Sequence, residues 1–255
     1  MSKNSNEHIK ALFDDLSEGY QDRKRGKNPF LKYFNEQRLA VSTEDLIKTK
    51  KLKILDLGAG TGFLYDHLVS IGIDVSGYFA VDISENMLSK SSIPLDQRKQ
   101  ESVDNLEILG ERTFDHIFCL GLSTYLSDET LKKLIEDSYS LLNSEGKLII
   151  SFTNRNSFDF KFRSVLRMML PKFIKKARVL SLFSIQSLSS NEAINIIKRA
   201  GLDSERLMYL NQTIFPFNRI FPSFSVWFAK KFENPSSPKL NRWSSDFLII
   251  ASKAS

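Results

Sequence analysis

The sequence predicts an α/β fold built on a largely parallel β-sheet. Short apolar runs, typical of strands buried on both faces, alternate with segments of helical periodicity. The first run contains Ile54, Leu55 and Leu57, and it passes through three closely spaced glycines into a helical segment. Strand, glycine turn and helix in this order form the first unit of a nucleotide-binding sheet, because glycine lets the backbone approach a ligand closely.

The composition indicates a globular protein of one domain, or one domain with an appendage. Of 255 residues, 42% are apolar and 26% are charged. The single cysteine, Cys119, permits neither an internal disulfide nor a cysteine zinc cluster, and no Asp, Asn or His set suggests a metal site. The N-terminus lacks the apolar stretch of a secretory signal, so we expect a cytoplasmic protein.

The spacing of the glycines separates two classes of cofactor. Dinucleotide-binding folds usually carry G-x-G-x-x-G, whereas Gly58, Gly60 and Gly62 form G-x-G-x-G, preceded by Asp56. The string K-I-L-D-L-G-A-G-T-G-F-L from Lys53 resembles motif I of the class I S-adenosylmethionine (SAM)-dependent methyltransferases of the small-molecule type. The resemblance implies that this loop holds the amino-acid end of the cofactor S-adenosyl-L-methionine.

A second string supports the same family. The sequence V-D-I-S-E-N-M-L resembles motif II, in which an apolar strand ends in an acid, here Asp82, and Ser84 is suited to cap the next helix. An acid at this strand end can accept the ribose hydroxyls. In the family the next residue, Ile83, packs on the adenine. After the third strand, either Glu101 or Asp104 can occupy the position near the adenine amino group.

The resemblance also implies the complete architecture. We expect a Rossmann-like, doubly wound sheet of seven strands in the order 3-2-1-4-5-7-6, with the last strand antiparallel. The motifs cover roughly residues 50–152. Residues 1–48 are predicted to be an N-terminal helical lid, and residues 49–255 the methyltransferase domain, with a helical insertion at about 153–188.

The resemblance and the positions of the motifs predict the site residues. The expected cofactor-binding residues are Asp56, Gly58, Ala59, Gly60, Asp82, Ile83, Met87, Glu101, Leu120, Tyr20 and Arg38. The expected substrate-binding residues are Ser123, Tyr125 and Asn154. An aromatic ring such as Tyr20 favours a sulfonium, and a guanidinium such as Arg38 binds a carboxylate. The alternatives are packing for the tyrosines and a solvated charge for Arg38; no catalytic base is evident.

The net charge of +6 lies in one segment. Residues 159–178 contain seven basic residues and one acidic residue, so the rest of the chain is neutral. Interleaved Phe, Leu and Met suit an acceptor with an anionic and an apolar part, or peripheral contact with the inner membrane surface; a solvated helix face is the alternative. The aromatic stretch 207–232 allows the same interpretations. Confinement of the charge to one segment argues against DNA as a partner.

The predicted activity is transfer of a methyl group from SAM to an oxygen or nitrogen of a small, lipid-linked or anionic acceptor. Two alternatives come from other classes. One is a catalytically silent SAM-binding partner subunit, because methyltransferases share no universal catalytic residue. The other is an NAD(P)-binding Rossmann enzyme, which would require a different glycine spacing.

Overall fold

A seven-stranded sheet forms the centre of the protein. The computed structural model describes residues 3–20, 28–46, 51–169, 186–213, 215–233 and 239–254. The strands are β1 (Ile54–Leu57), β2 (Tyr78–Asp82), β3 (Arg98–Gln100), β4 (Phe114–Cys119), β5 (Leu142–Thr153), β6 (Leu202–Gln212) and β7 (Ser244–Lys253). Their order is β3-β2-β1-β4-β5-β7-β6, and only β7 runs antiparallel to its neighbours. The predicted fold class and strand order are confirmed.

Helices precede and separate the strands. They are α1 (Lys3–Leu16), α2 (Pro29–Ser42), α3 (Phe63–Ser70), α4 (Glu85–Ser89), α5 (Asp128–Leu141), α6 (Phe158–Met169), α7 (Ser190–Arg199), α8 (Phe217–Ile220) and α9 (Pro222–Lys231). Among the described helices, none is long and apolar enough to cross a bilayer. Residues 170–185 of the predicted insertion lie outside the described residues.

The core lies on both faces of the sheet. Alternate residues of a strand point to opposite faces, so Leu55 and Leu57 join one buried cluster while Ile54 joins the other. The second cluster also contains Tyr78, which places its hydroxyl beneath the first strand beside Asp56. Burial on both faces explains why these strands are continuous apolar runs in the sequence.

The strand register determines where the site lies. In β1, Ile54 pairs with Tyr78 of β2 on one side and with His116 of β4 on the other, both in parallel. From β1 the sheet extends through β2 and β3 on one side and through β4 and β5 on the other, so the strand order reverses between β1 and β4. Ligands of doubly wound sheets bind beyond the strand ends at such a point. The glycine loop, Asp82 and Leu120 therefore follow neighbouring strand ends.

Three local features compare with what their sequences predict. The string N-S-E-G at residues 143–146 predicts a turn before the fifth strand, but it is part of β5, which begins at Leu142 paired with Phe114 and continues through a register shift. The sequence predicts one crossover helix at about 224–232, whereas the structure has α8 and α9, with Pro222 in the first turn of the second. The sequence N-P-F from Asn28 predicts a break between helices, and α2 begins there, with Asn28 as its N-cap.

Candidate active site

Asp82 joins the glycine loop to the start of α4. Its two carboxylate oxygens accept hydrogen bonds from the backbone N–H of Gly60 and of Ser84, each at 2.8 Å. Gly58 and Gly60 have φ of 75° and 56°, values that favour glycine. Burial raises the pKa of Asp82, and the two N–H donors oppose that rise. Each oxygen keeps one lone pair, so Asp82 can still accept hydroxyl groups of a ligand.

Asp56 is a buried acid beneath the same loop. Its side chain is only 4% exposed, and the Tyr78 hydroxyl donates to it at 2.5 Å. Burial raises the pKa of Asp56 to about 7, the Tyr78 hydrogen bond lowers it, and the neighbouring charge of Asp82 raises it. A cation bound beside Asp56 would favour its ionised form.

Two adjoining cavities lie over the strand ends. The larger has a volume of about 280 Å³ and extends past Asp82 and Ile83 to the loop at residues 102–104. The smaller, about 80 Å³, reaches the glycine loop and Asp56. Both are lined by Tyr20, Arg38, Gly58 and Leu120, so they form one continuous site.

The charge of the lining is predominantly negative. Asp56, Asp82, Asp104 and Asp246 line the two cavities, and Arg38 is the one basic residue among the lining residues. Carboxylates removed from water attract a cation more strongly than surface carboxylates do. The lining therefore favours a ligand with positive charge.

The first helix covers the far end of the larger cavity. The amide of Asn6 donates to Asp104 at 2.8 Å, and the hydroxyl of Ser84 donates to Asp14 at 2.5 Å. The ring of Phe13 meets that of Tyr125 edge-on, with centroids 5.0 Å apart. Helix α1 is thus held against the sheet by polar contacts at its ends and an aromatic contact between them.

An ion pair joins α2 to the last strand inside the larger cavity. Arg38 donates to Asp246 at 2.7 Å, and both side chains are 12% exposed. The amide of Asn211 also donates to Asp246, at 3.2 Å, and the Phe34 ring lies 4.6 Å from the guanidinium carbon. Burial raises the pKa of Asp246, while Arg38 and Asn211 oppose the rise. The Nε atom of Arg38 is buried and has no hydrogen-bond partner.

The structure brings most of the predicted site residues to this cavity. The predicted residues that line it are Asp56, Gly58, Ala59, Asp82, Ile83, Leu120, Tyr20, Arg38 and Tyr125. Gly60 lies next to the lining and contributes its N–H to Asp82. Met87 lies in the buried core at the start of α4, and its N–H donates to Ser84.

Three predicted residues have their side chains engaged away from the lining. Glu101 accepts from the N–H of Ser102, and Asp104 lines the cavity in its place. The Ser123 hydroxyl donates to the carbonyl of Ser151. The amide of Asn154 donates to the carbonyls of residues 241 and 244 at 3.1 and 2.8 Å, which ties the end of β5 to the start of β7. Their binding roles stay predictions.

Sequence reasoning did not single out several lining residues. Asp246 is separated from Arg38 by 208 positions, and its only sequence signal is an acid at the head of an apolar strand. Asn6 and Phe13 belong to the amphipathic pattern of α1, which alone does not distinguish ligand contact from packing. Among the described residues, no group of three or more His, Cys, Asp or Glu side chains could hold a metal ion.

Comparison with known proteins agrees with this geometry. Residues 55–148 match the family model of a methyltransferase domain. The ubiquinone biosynthesis O-methyltransferase of Coxiella burnetii is 30% identical over 151 residues, which are 57% of this chain and 62% of that enzyme. The enzyme of the same name from Cereibacter sphaeroides is 26% identical over 181 residues, 68% of this chain and 70% of that enzyme. The match to the Coxiella enzyme thus spans less than two thirds of its length.

A solved structure shows the same fold over nearly the whole chain. Magnesium protoporphyrin IX methyltransferase from Synechocystis PCC 6803, crystallised with bound S-adenosylhomocysteine (SAH), superposes with a TM-score of 0.66. The match covers 96% of this chain and 98% of that chain at 14% identity. The strand order and these similarities show that the chain has the fold of the class I SAM-dependent methyltransferases, with a match to a methyltransferase domain at residues 55–148.

Proposed function

We propose that the protein binds SAM in the two joined cavities and transfers its methyl group to an oxygen or nitrogen of a small acceptor. The observation that carries the proposal is that four aspartates, three of them buried, line the two cavities beside the glycine loop. SAM has a sulfonium and an ammonium, so this lining favours it over a dinucleotide, whose pyrophosphate is negative. The relatives named as O-methyltransferases favour oxygen as the acceptor atom.

Each end of the cofactor has suitable residues in the cavities. Asp82 would accept the ribose hydroxyls, with Ile83 beside the adenine. Asp56 and the glycine loop would hold the ammonium end in the smaller cavity. Arg38 borders both cavities and would bind the carboxylate, which is consistent with its unpartnered Nε. When bound, SAM supplies an electrophilic methyl group on its sulfonium.

The protein's own contribution to transfer is alignment and removal of a proton. Phe13, Phe34, Tyr125 and Phe152 form the apolar part of the larger cavity, where an acceptor ring would be held dry. Asp246 is the candidate proton acceptor for an acceptor hydroxyl, since it lines the same cavity and has a raised pKa. The acceptor would lose its proton to Asp246 as its oxygen forms the new C–O bond, and SAH would leave.

Cell extract incubated with SAM labelled in the methyl group tests the role of Asp246. An Asp246→Asn variant that binds SAH like wild type should transfer less label. Equal transfer by the two proteins would contradict the role.

The N-terminal helices are proposed to act as a lid. Residues 1–48, which include α1 and α2, supply six of the residues lining the larger cavity: Asn6, Ile9, Phe13, Tyr20, Phe34 and Arg38. A helical segment outside the sheet that carries so much of the lining would exclude water when the cofactor and acceptor are in place.

The acceptor and the cellular location are the finer parts of the proposal. The acidic, aromatic cavity suits the apolar end of an acceptor, and an anionic end would then lie on the basic segment 159–178. The same segment would give a cytoplasmic protein peripheral contact with the inner membrane surface. Its residues Lys172, Lys175, Lys176 and Arg178 lie outside the described residues, so support comes from the sequence.

Calorimetry on one variant tests the cofactor assignment. Asp82→Ala should weaken SAM binding at least about tenfold, or about 1.4 kcal/mol, because a charge-assisted ribose contact is lost. The matched control is Asp74→Ala, at a fully exposed acid between α3 and β2, which should bind like wild type. A thermal melt of each variant confirms that it is folded. Unchanged affinity in a folded Asp82→Ala would refute the assignment, and tight binding of NADH would favour the dinucleotide alternative.

A further inference from the structure

The two helices between β6 and β7 expose their large apolar side chains to solvent. In α8 and α9 and at the residue between them, Phe217, Ile220, Phe221, Phe224 and Trp227 are between 52% and 60% exposed. Within α9, Phe224 and Trp227 are three residues apart on one side of the helix, and their rings stack with centroids 5.5 Å apart. Apart from three residues of α6, exposed large apolar side chains elsewhere in the described residues, such as Leu95 and Val69, occur singly. We call these five residues the apolar face.

The opposite side of the same helices is small or polar and is buried. Asn218, Ser225 and Ala229 are at most 8% exposed. This distribution is the reverse of that expected for a helix on the surface of a globular domain, where the apolar stripe faces inward. A contiguous exposed patch of this kind marks an interaction surface rather than ordinary packing.

The charged residues within α8 and α9 are basic, and the nearest acid in the sequence, Glu233, follows α9 and accepts a hydrogen bond from α2. Residues 207–232 contain Arg219, Lys230 and Lys231 and no acidic residue. The Lys231 ammonium lies 5.2 Å from the centroid of the Trp227 ring. Tryptophan beside lysine at the rim of an apolar surface is the arrangement of segments that lie in the membrane interface.

The neighbouring helix extends this surface. On α6, Phe158, Phe162 and Val165 are between 38% and 45% exposed. The Phe162 ring lies 6.4 Å from that of Phe215, just before α8. Residues 158–191, which include α6, contain seven basic residues and one acidic residue, Asp159, which is buried and pairs with Arg163. Among the described residues, Lys161 and Arg163 therefore lie on the same helix as these exposed apolar side chains.

We propose that the apolar face of α8 and α9 docks on an anionic lipid bilayer, with Phe224 and Trp227 inserted among the lipids and the surrounding basic residues on the head groups. Exposed aromatic side chains are stabilised by burial among lipids, and the basic residues beside them are attracted to an anionic surface; an anionic bilayer provides both. The proposal extends the bilayer contact proposed for residues 159–178 to a second, structurally defined surface, and it is independent of methyl transfer.

The helices that carry the apolar face contact α2, a helix that lines the larger cavity. Glu233, just after α9, accepts from Gln37 of α2 at 2.9 Å, and Asn28 at the start of α2 donates to the carbonyl of Asn218 at 3.4 Å. Helix α2 carries Phe34 and Arg38 of the cavity lining. A docked protein would therefore hold the wall of its cavity next to the lipid surface, where an amphipathic acceptor is concentrated.

Vesicle co-sedimentation tests the proposal with the full chain. Vesicles of phosphatidylglycerol and phosphatidylcholine in equal parts are compared with vesicles of phosphatidylcholine alone. The test variant is Phe224→Glu with Trp227→Glu, and the matched control is Leu95→Glu, which changes a 77% exposed side chain near β3 at the other edge of the sheet. A third variant changes Lys172, Lys175, Lys176 and Arg178 to Gln. Calorimetry with SAH shows that each protein is folded and measures the cofactor proposal separately.

The expected result is specific to the face. Wild type and the Leu95 control should pellet with anionic vesicles, and less of each should pellet at high salt. The affinity of the Phe224/Trp227 variant for anionic vesicles should fall about tenfold or more, because two apolar side chains are no longer buried in the bilayer. A Trp243→Phe variant leaves Trp227 as the only tryptophan, whose emission should shift to the blue on anionic vesicles.

Three results would overturn the inference. The first is wild type that stays in the supernatant with anionic vesicles. The second is a Phe224/Trp227 variant that pellets like wild type while the basic-segment variant does not, which would leave only the contact at 159–178. The third is a wild-type dimer that this variant dissociates, which would make the face a contact between copies. SAH binding, measured in the same samples, tests the cofactor proposal separately from the docking proposal.

Discussion

The buried carboxyl of Asp56 should make the stability of the protein depend on pH in a calculable way. Burial moves its pKa from an ordinary value of 3.8 to about 7. Between these values the folded protein keeps a proton on Asp56 that the unfolded chain has released. Unfolding then releases the proton, so the free energy of unfolding falls as pH rises through this window.

The size of the effect follows from the two pKa values. A tenfold change in an ionisation constant corresponds to about 1.4 kcal/mol. Above pH 7 the ionised, buried Asp56 therefore destabilises the fold by about 4 kcal/mol, and below pH 3.8 this cost disappears. Between pH 5 and pH 8 the change is about 3 kcal/mol, most of which occurs below pH 7.

Asp56→Asn removes the titration while keeping a side-chain oxygen for the Tyr78 hydroxyl. Urea unfolding followed by circular dichroism gives the free energy of unfolding of variant and wild type at both pH values. The variant should gain about 3 kcal/mol on wild type between pH 5 and pH 8. Other groups titrate in both proteins and cancel in this comparison.

Asp74→Asn is the matched control. Asp74 is fully exposed, and a hydrogen bond from Ser76 lowers its pKa below the window, so its variant should keep a constant offset from wild type. A constant offset for Asp56→Asn as well would refute the argument, because it would mean that Asp56 titrates outside this range in the folded protein.

Two further predictions concern the proposed lid and Arg38. Hydrogen exchange of the α1 and α2 amides should slow when SAH binds, and equal exchange with and without SAH would argue against a lid. In Gly121→Ala the new Cβ would lie 2.7 Å from Nη1 of Arg38, so SAH affinity should fall about tenfold if Arg38 binds the carboxylate. Gly72→Ala is the control: it has the same φ of 79° and no atom within 4 Å of its Cβ, so it isolates the backbone strain, and equal SAH affinity in the two variants would contradict the role of Arg38.

The fold could be predicted from the sequence because its signals are local. A strand buried on both faces is mostly apolar, and a turn with positive φ favours glycine, so β1 and the loop from Gly58 can be recognised within a few residues of sequence. Asp82 can also be recognised locally, because an acid directly after an apolar run marks the end of a buried strand. The order of the strands came from the family resemblance, since spacing shows only that strands and helices alternate.

Several features of the candidate site depended on tertiary structure. Glu101 and Asp104 are equivalent in sequence, and only the course of the loop after β3 turns Asp104 toward the cavity. Arg38 and Asp246 meet because α2 packs against β6 and α9, beside the start of β7, which no local pattern records. The signal for the glycine loop lies within one short segment of the sequence. A contact between distant segments, such as that between Arg38 and Asp246, forms only in the folded sheet.

The apolar face of α8 and α9 also separates what the sequence determines from what the tertiary structure decides. Its sequence displays aromatic residues at helical spacing, and that pattern is common to a helix that packs inward and a helix that faces a lipid surface. Composition and periodicity determine that a helix has an apolar side. Which side faces the domain is decided by packing, here by burial of Asn218, Ser225 and Ala229, because the rest of the fold sets the helix's rotation about its own axis.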